Sequence, residues 1–204
     1  MKRTALACTL IGLSTALAAD SLPVTPNAVF AFNGQEFVIS RSATVDEATL
    51  AALRQANSNC PSPCLSPMSA GQNVPTLGEL DVITFLSTDV ENGDGLLIDA
   101  RLPADRARGF IPASVNIPAA TLSPENPYRN EILIALGAEQ FQGIFRFNDA
   151  LSLVVFDDGP AMTDAAAMIT DLLAAGYPSE KIAYYRGGML VWRTLGLSTI
   201  EVPQ

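Results

Sequence analysis

The amino-acid sequence predicts an α/β domain over residues 76–204, with a central parallel sheet flanked by helices. Short apolar segments of four or five residues alternate with helical segments along this part of the chain. Such segments are typical of buried strands, and their alternation with helices is typical of parallel sheets. The helical segments are recognised by apolar residues at intervals of three and four positions.

A smaller N-terminal extension, residues 19–75, is predicted to precede that domain. Two apolar segments flank Asn33-Gly34, a dipeptide that is typical of two-residue hairpin turns. Asp46 is the predicted N-cap of a helix over residues 47–57. The next segment, 58–74, is rich in Pro, Ser and Gly and is predicted to be a linker.

The elements of the α/β domain follow in order. The first helix is predicted at Thr76-Leu77-Gly78-Glu79, which has the spacing of a capping box, with Leu80, Ile83 and Leu86 on its buried face. The remaining elements are predicted strands at residues 95–99, 114–118, 153–156 and 182–185, and predicted helices at residues 103–108, 130–136, 165–173 and 189–195. Helices therefore separate all successive strands of the domain.

Residues 1–18 are predicted to be a signal peptide. Lys2 and Arg3 precede an apolar segment that ends in Ala16-Leu17-Ala18, a small-residue cleavage signal. The apolar segment is shorter than the roughly 20 residues that a membrane-spanning helix needs. We therefore expect an exported, periplasmic chain that leaves the membrane after cleavage.

Composition excludes several classes of function. The chain contains no histidine, so a His-based metal site, a Ser-His-Asp triad and imidazole acid–base catalysis are impossible. Its net charge of −9 becomes more negative when the signal peptide is lost, so nucleic acid and anionic lipid are unfavourable partners. We expect no cofactor and no metal, and an exported protein or a small ligand as the partner.

Two cysteines, Cys60 and Cys64, remain after the predicted cleavage. In an exported chain, a disulfide that closes this small loop is the favoured interpretation. A zinc site would need carboxylates as further ligands. A redox or sulfur-relay role is the third interpretation, because neighbouring cysteines often exchange.

The strand–loop–helix unit at residues 153–177 contains an unexpected acidic pair. A strand that leads through a tight loop into a helix points several backbone N–H groups and the positive helix end at one spot. That spot normally receives an anion or holds an anionic nucleophile. Here the chain places Asp157 and Asp158 there.

Two further segments carry a family resemblance. LLIDARLPADRARGFIPASVNIP resembles the first signature of rhodanese-like domains, and IAYYRGGMLVWRTLGL resembles their closing signature. The resemblance covers residues 76–197 and is closest to exported single-domain members with a Cys-Pro-rich N-terminal extension. It implies a three-layer α/β fold and sulfurtransferase chemistry on a cysteine that follows the strand at residues 153–156.

The resemblance assigns the site position by position. Asp99 and Arg101 match the Asp-x-Arg pair after the first strand, and Gly187, Gly188 and Trp192 match the closing signature. Asp157 falls at the position of the cysteine that carries sulfane sulfur as a persulfide. The implied active-site loop comprises Asp157, Asp158, Gly159, Pro160, Ala161, Met162 and Thr163.

This sequence departs from the family pattern at several positions. Phe110 replaces the usual His and Ala113 the usual Gly. Asp157 cannot carry a persulfide, and Thr163 is incompatible with the Cys-x5-Arg pattern of related phosphatases. The domain thus resembles a rhodanese without its nucleophile.

We interpret Asp157 as an internal occupant of the anion site, which accepts the loop N–H groups. The helix dipole stabilises a carboxylate by roughly 0.3–1 kcal/mol, whereas an incoming anion about 4 Å away would be repelled by roughly 4 kcal/mol at an effective dielectric near 20. The alternatives are a cation or metal site and a general base at Asp157 and Asp158. We expect Asp99 and Arg101 to form a structural pair and Trp192 to lie in the core.

Two hypotheses of function follow from these residues. The first is an exported, rhodanese-like binding or accessory module without sulfurtransferase activity. The second is a sulfur or thiol relay in which Cys60 and Cys64 supply the missing thiol, which requires the linker to lie at the mouth of the loop. A carboxylate-dependent hydrolase is a weaker third hypothesis, because no partner acid, base or metal ligand set is recognisable.

Overall fold

The computed structural model describes residues 27–41, 46–58 and 65–201. The predicted signal peptide, Cys60 and Cys64 lie outside these residues. The regular elements are β1 (Asn27–Phe32), β2 (Gln35–Ser40), α1 (Glu47–Ser58), α2 (Glu79–Phe85), β3 (Gly95–Asp99), α3 (Pro103–Arg106), β4 (Val115–Asn116), α4 (Arg129–Ala135), β5 (Glu139–Phe141), β6 (Ile144–Arg146), β7 (Ser152–Phe156), α5 (Asp164–Ala174), β8 (Ile182–Tyr185) and α6 (Gly188–Thr194).

The central sheet has four parallel strands in the order β4-β3-β7-β8. The register aligns Asp99 with Phe156 and Phe156 with Tyr185, so three strands end level with one another. The chain segments that follow these strands therefore emerge at one edge of the sheet. The α/β class with a central parallel sheet is confirmed, and its carboxyl edge holds the residues of the candidate site.

Helices cover both faces of this sheet. Ile98 and Val155 point to the face covered by α4 and α5, where Met168, Ile169 and Leu172 are buried. The adjacent strand residues Leu97 and Val154 point to the opposite face, where α2 and α6 pack. Because successive side chains of a strand alternate between faces, apolar runs are required when both faces are covered.

The predicted N-terminal hairpin and helix are confirmed. Asn33 (φ 50°) and Gly34 (φ 77°) form the turn between β1 and β2, and both adopt the positive φ that a type I′ turn requires. Asp46 caps α1 by accepting a hydrogen bond from the Ala48 N–H (3.1 Å). Phe30, Ile39 and Leu53 lie in the same core cluster as Met189 and Trp192, so the extension packs on the α6 side of the sheet.

The extension also joins the far end of the chain. The Ser198 N–H donates to the carbonyl of Ser40 (3.0 Å), and the Ser40 N–H donates to Ser198 Oγ (2.9 Å). The indole Nε1 of Trp192 donates to the carbonyl of Ser198 (2.9 Å). The first hairpin, the last described segment and the buried tryptophan therefore form one hydrogen-bonded unit.

The prediction for the start of α2 was wrong by two residues. Gly78 is the N-cap, and its N–H donates to Asp81 Oδ2 (2.9 Å), while the Thr76 hydroxyl donates to the carbonyl of Met68. Leu80 is exposed (60%). The buried face carries Val82, together with Leu86 and Val90 of the π-helical segment Leu86–Val90 that continues α2. Only half of a capping box is thus present: Asp81, and not Glu79, accepts the N–H of the N-cap residue, and Gly78 has no side chain to accept a hydrogen bond in return.

The hairpin of β5 and β6 was not predicted. Its strands are only three residues long, and Gln142 (φ 51°) and Gly143 (φ 81°) form its turn. Phe141 and Ile144, which flank this turn, are both exposed, so the segment lacks the buried alternation that identifies a strand in a sequence.

Among the described residues, no helix is both long enough and apolar enough to cross a membrane.

Candidate functional site

The carboxyl edge of the sheet brings together four of the five family-motif residues predicted from the sequence, whereas the fifth, Trp192, lies in the core. Asp99 ends β3 and Arg101 follows it. The loop at residues 157–163 connects β7 to α5. Gly187 and Gly188 connect β8 to α6 and lie against that loop, because Met189 N–H donates to the carbonyl of Asp157 (3.0 Å).

Asp157 lies inside the loop and has no solvent exposure (0%). Its Oδ1 accepts a hydrogen bond from the Gly159 N–H (2.9 Å), and its Oδ2 accepts one from the Ala165 N–H (3.0 Å). Ala165 is in the first turn of α5, where N–H groups have no partner within the helix. The carboxyl group of Asp157 therefore caps α5 and closes the loop, in agreement with the predicted hydrogen bonds to loop N–H groups.

The environment of Asp157 opposes its ionisation. Burial raises the pKa of Asp157 to about 7, the hydrogen bonds from Ala165 and Gly159 lower it, and the nearby charges of Asp164 and Asp158 raise it further. Desolvation of the buried carboxylate thus raises the pKa by more than the hydrogen bonds from the two N–H groups lower it. Near neutral pH, the carboxyl group of Asp157 is therefore partly protonated in the folded protein.

Asp158 points away from Asp157 and pairs with Arg101. Arg101 Nη1 donates to Asp158 Oδ1 (2.8 Å), while its Nε and Nη2 form a bidentate pair with Asp99 (2.8 and 2.7 Å). All three side chains are buried. Burial lowers the pKa of Arg101, but the ion pairs with the two aspartates outweigh burial and the net shift is upward. Asp99 and Arg101 thus form the structural pair predicted from the sequence, and Asp158 is a third member that was not predicted.

Arg106 supports this cluster from α3. Its Nη1 donates to Asp99 Oδ2 (3.1 Å) and to Ser114 Oγ (2.9 Å). Its guanidinium lies 3.7 Å from the ring centroid of Phe110, a cation–π contact. Phe110 occupies the position at which the family resemblance expects His, and here it holds a structural arginine. Ala113, at the expected Gly position, keeps a positive φ of 60°.

Gly188 is required by the close approach of α6 to the loop. A Cβ atom at this position would lie 2.4 Å from the carbonyl oxygen of Asp157, and φ is +55°. The next two N–H groups, of Met189 and Leu190, donate to the carbonyls of Asp157 and Asp158 (3.0 and 2.9 Å). Trp192 is completely buried, so the prediction that it belongs to the core is confirmed.

The loop is also contacted by the N-terminal extension, which was not predicted. Asn57 Oδ1 accepts a hydrogen bond from the Ala161 N–H (3.2 Å). The Ser66 N–H donates to the carbonyl of Pro160 (2.6 Å), and the Ser66 hydroxyl donates to the carbonyl of Met162. These contacts span about a hundred residues, and nothing in the composition of the linker indicates them.

The acidic pair does not form a shared cation site. Asp157 faces the N–H groups of α5, whereas Asp158 faces Arg101, with Arg108 Nη2 4.0 Å from its second oxygen. Within residues 27–41, 46–58 and 65–201, no group of three or more cysteine, aspartate or glutamate side chains could hold a metal ion. The described geometry thus assigns the two carboxyl groups to capping and to ion pairing.

Residues 84–195 match the sequence model of the rhodanese-like domain family. The chain belongs to this family. The matched range covers more than half of the 204 residues and contains the Asp99–Arg101 pair, the loop at 157–163 and the glycines before α6. Membership was predicted from the two signature segments.

Several solved structures are similar to this chain. A protein of unknown function from Rhodopseudomonas palustris, described as a possible tyrosine phosphatase, is 19% identical with a TM-score of 0.45, and the match covers 78% of this rhodanese-like chain and 96% of that chain. A thiosulfate sulfurtransferase from Pseudomonas aeruginosa is 19% identical with a TM-score of 0.45, and covers 67% of this chain but only 22% of its own. A human single-domain sulfurtransferase is 22% identical with a TM-score of 0.38, over 58% and 95% of the two chains. No curated protein sequence matches the chain.

Proposed function

We propose that this rhodanese-like protein lacks sulfurtransferase activity and acts in the periplasm as a binding or accessory module. The observation that carries the proposal is the position of the Asp157 carboxyl group, which accepts the N–H groups of Gly159 and Ala165. In a sulfurtransferase such donors stabilise a thiolate and its persulfide. Here a carboxyl group, which cannot accept sulfane sulfur, uses them.

Two further donors of the loop support the same proposal. The Ala161 N–H donates to Asn57 and the Met162 N–H to the carbonyl of Gly159 (2.9 Å). An incoming thiosulfate dianion would have to displace these acceptors and to approach Asp157. Its binding would therefore exchange existing hydrogen bonds for new ones and would gain little.

A sulfur-transfer assay on the mature protein tests the proposal. Thiosulfate is the donor and cyanide the acceptor, and thiocyanate is measured in the presence and absence of reductant. We expect no turnover by the unmodified chain and a gain of turnover in Asp157→Cys. Asp164→Cys is the matched control, because it places a thiol at the start of α5, outside the hydrogen bonds of the loop. Turnover by the unmodified chain would contradict the proposal.

A second candidate function is a sulfur relay through Cys60 and Cys64. It is favoured by the contacts of Asn57 and Ser66 with the loop, because these two residues flank Cys60 and Cys64 in the sequence. In this reaction a cysteine thiolate would take the sulfane sulfur of thiosulfate, release sulfite, and pass the sulfur to cyanide.

The same assay distinguishes the two candidates. Turnover that is lost in Cys60→Ser or Cys64→Ser would establish the relay, whereas turnover that persists in both would contradict both candidates.

Export is tested separately, by N-terminal sequencing of the protein from a periplasmic fraction. We expect cleavage after Ala18, and an intact N-terminus in the cytoplasm would contradict the proposed location.

A further inference from the structure

The outer surface of the loop is bonded to the last turn of α1. Asn57 Nδ2 donates to the carbonyl of Leu53 (2.9 Å), which fixes the side-chain amide with its oxygen toward the loop. That oxygen accepts the Ala161 N–H (3.2 Å). It also lies 3.0 Å from the point at which a Cβ atom on Gly159 would stand, so the amide lies directly on the loop.

Ser66 contacts the loop on either side of that hydrogen bond. Its N–H and its hydroxyl donate to the carbonyls of Pro160 and Met162. The carbonyl oxygen of Ser66 accepts a hydrogen bond from Nε of Arg186 (2.9 Å), a residue that follows β8. Ser66 is therefore held between the loop and the connection from β8 to α6.

Together, Asn57 and Ser66 engage the backbone of three successive loop residues. The groups involved are the carbonyl of Pro160, the N–H of Ala161 and the carbonyl of Met162. These are the groups that the loop would otherwise present to solvent or to a bound molecule. Asn57 and Ser66 of the same chain thus cover the backbone groups that a bound molecule would contact.

Few apolar side chains attach α1 to the rest of the protein. On the described side chains of α1, only Leu50 and Leu53 are buried, at 3% and 5% exposure. The loop beneath it is anchored by β7, whose residues Leu153 to Phe156 are buried in the central sheet. An element with few buried apolar contacts opens at a lower free energy than the sheet that carries it.

We propose that α1 and Ser66 form a detachable cover over residues 159–162, an autoinhibitory contact that keeps the loop from binding partners until the cover opens. The proposal goes beyond the proposed function, because it holds whether the opened loop binds a partner or meets a reactive thiol. Opening breaks the bonds from Asn57 and Ser66 while the hydrogen bonds of Asp157 remain.

Hydrogen exchange of the full mature chain tests this directly. In the unmodified protein, we expect the amide groups of α1 and of Ala161 to exchange through one common opening, at least ten-fold faster than those of β7. If the α1 amides exchanged as slowly as those of Leu153 and Val155, the cover would open only on global unfolding and the proposal would be wrong.

Variants then establish which contacts hold the cover. Asn57→Ala and Ser66→Ala each remove a side-chain contact with the loop, whereas Ser58→Ala and Ser69→Ala are matched controls whose hydroxyls donate to the carbonyls of Gln55 and Gly71. We expect exchange at Ala161 and at Leu50 and Leu53 of α1 to rise about ten-fold in the first pair only, whereas exchange at Gly159, whose N–H donates to Asp157, should not change. An increase confined to Ala161, or an equal increase in the controls, would overturn the proposal.

Discussion

The substitution Asp157→Asn separates the charge of the buried carboxyl group from its shape. Asparagine has nearly the same volume, and its carbonyl oxygen can accept one of the two N–H groups that Asp157 accepts. Its NH2 group then faces the other N–H, which is left without an acceptor. We expect this loss to destabilise the variant by roughly 1–3 kcal/mol at every pH.

The charge contributes a pH-dependent difference of opposite sign. The pKa of Asp157 rises from 3.8 in the unfolded chain to about 7 in the folded protein, mainly because of burial. A raised carboxyl pKa gives stability that is complete below the unfolded value and is lost as the pH rises through the folded value. That rise corresponds to about 4 kcal/mol, lost by the unmodified protein between about pH 4 and pH 8.

The two effects predict a crossover. At pH 4 the Asp157→Asn variant should be less stable than the unmodified protein, and at pH 8 it should be more stable. The free energy of unfolding can be measured by urea titration at unit steps of pH, with the fluorescence of the single buried Trp192 as the signal. Asp94→Asn, at an exposed position, serves as the control for the effect of the substitution itself.

Two outcomes would refute this reasoning. A difference between the two proteins that is independent of pH would mean that Asp157 titrates as in the unfolded chain. A difference that increases in favour of the unmodified protein as the pH rises would mean that the N–H groups of Gly159 and Ala165 stabilise the carboxylate more than burial destabilises it.

Further substitutions test the packing and the charge cluster at the carboxyl edge. Gly188→Ala should cost about 3 kcal/mol in urea unfolding, from overlap with the loop carbonyl and from the left-handed backbone; Gly143→Ala, with a similar φ and open space, should cost only about 1 kcal/mol. Equal losses would remove the close-approach argument. Arg101→Met leaves Asp99 and Asp158 buried without their shared cation and should cost about 3–5 kcal/mol. Arg146→Met, on the exposed β6, should stay within about 0.5 kcal/mol, and a small effect at Arg101 would show that the cluster is not needed.

Much of the fold follows from local pattern in the sequence. The strand at Leu153 to Phe156 consists of four consecutive apolar residues, and such a run is identifiable without knowledge of its neighbours. The Asn33-Gly34 turn is equally local, because few other residues adopt positive φ so readily. The start of α2 was misplaced because Thr76 and Glu79 have the same capping-box spacing as Gly78 and Asp81.

The candidate site was predictable only in part. The hydrogen bonds of Asp157 join positions two and eight residues apart, so the strand–loop–helix pattern was sufficient. The pairing of Arg101 with Asp158 and of Asn57 with Ala161 joins positions 57 and 104 residues apart. Contacts of that kind depend on how the elements pack, and residue type and spacing do not contain this information.

The bond between Ser40 and Ser198 has a consequence for how the chain is made. The two residues are 158 positions apart. The hairpin is bonded to Ser198, and Ser198 is in turn bonded to the indole of Trp192. The ribosome synthesises β1 and β2 long before Trp192 and Ser198. Phe30 and Ile39 therefore become buried only when almost the whole chain has been made. Because such distant contacts slow folding, the hairpin is expected to dock late, and a fragment limited to residues 84–195 would leave an apolar surface uncovered.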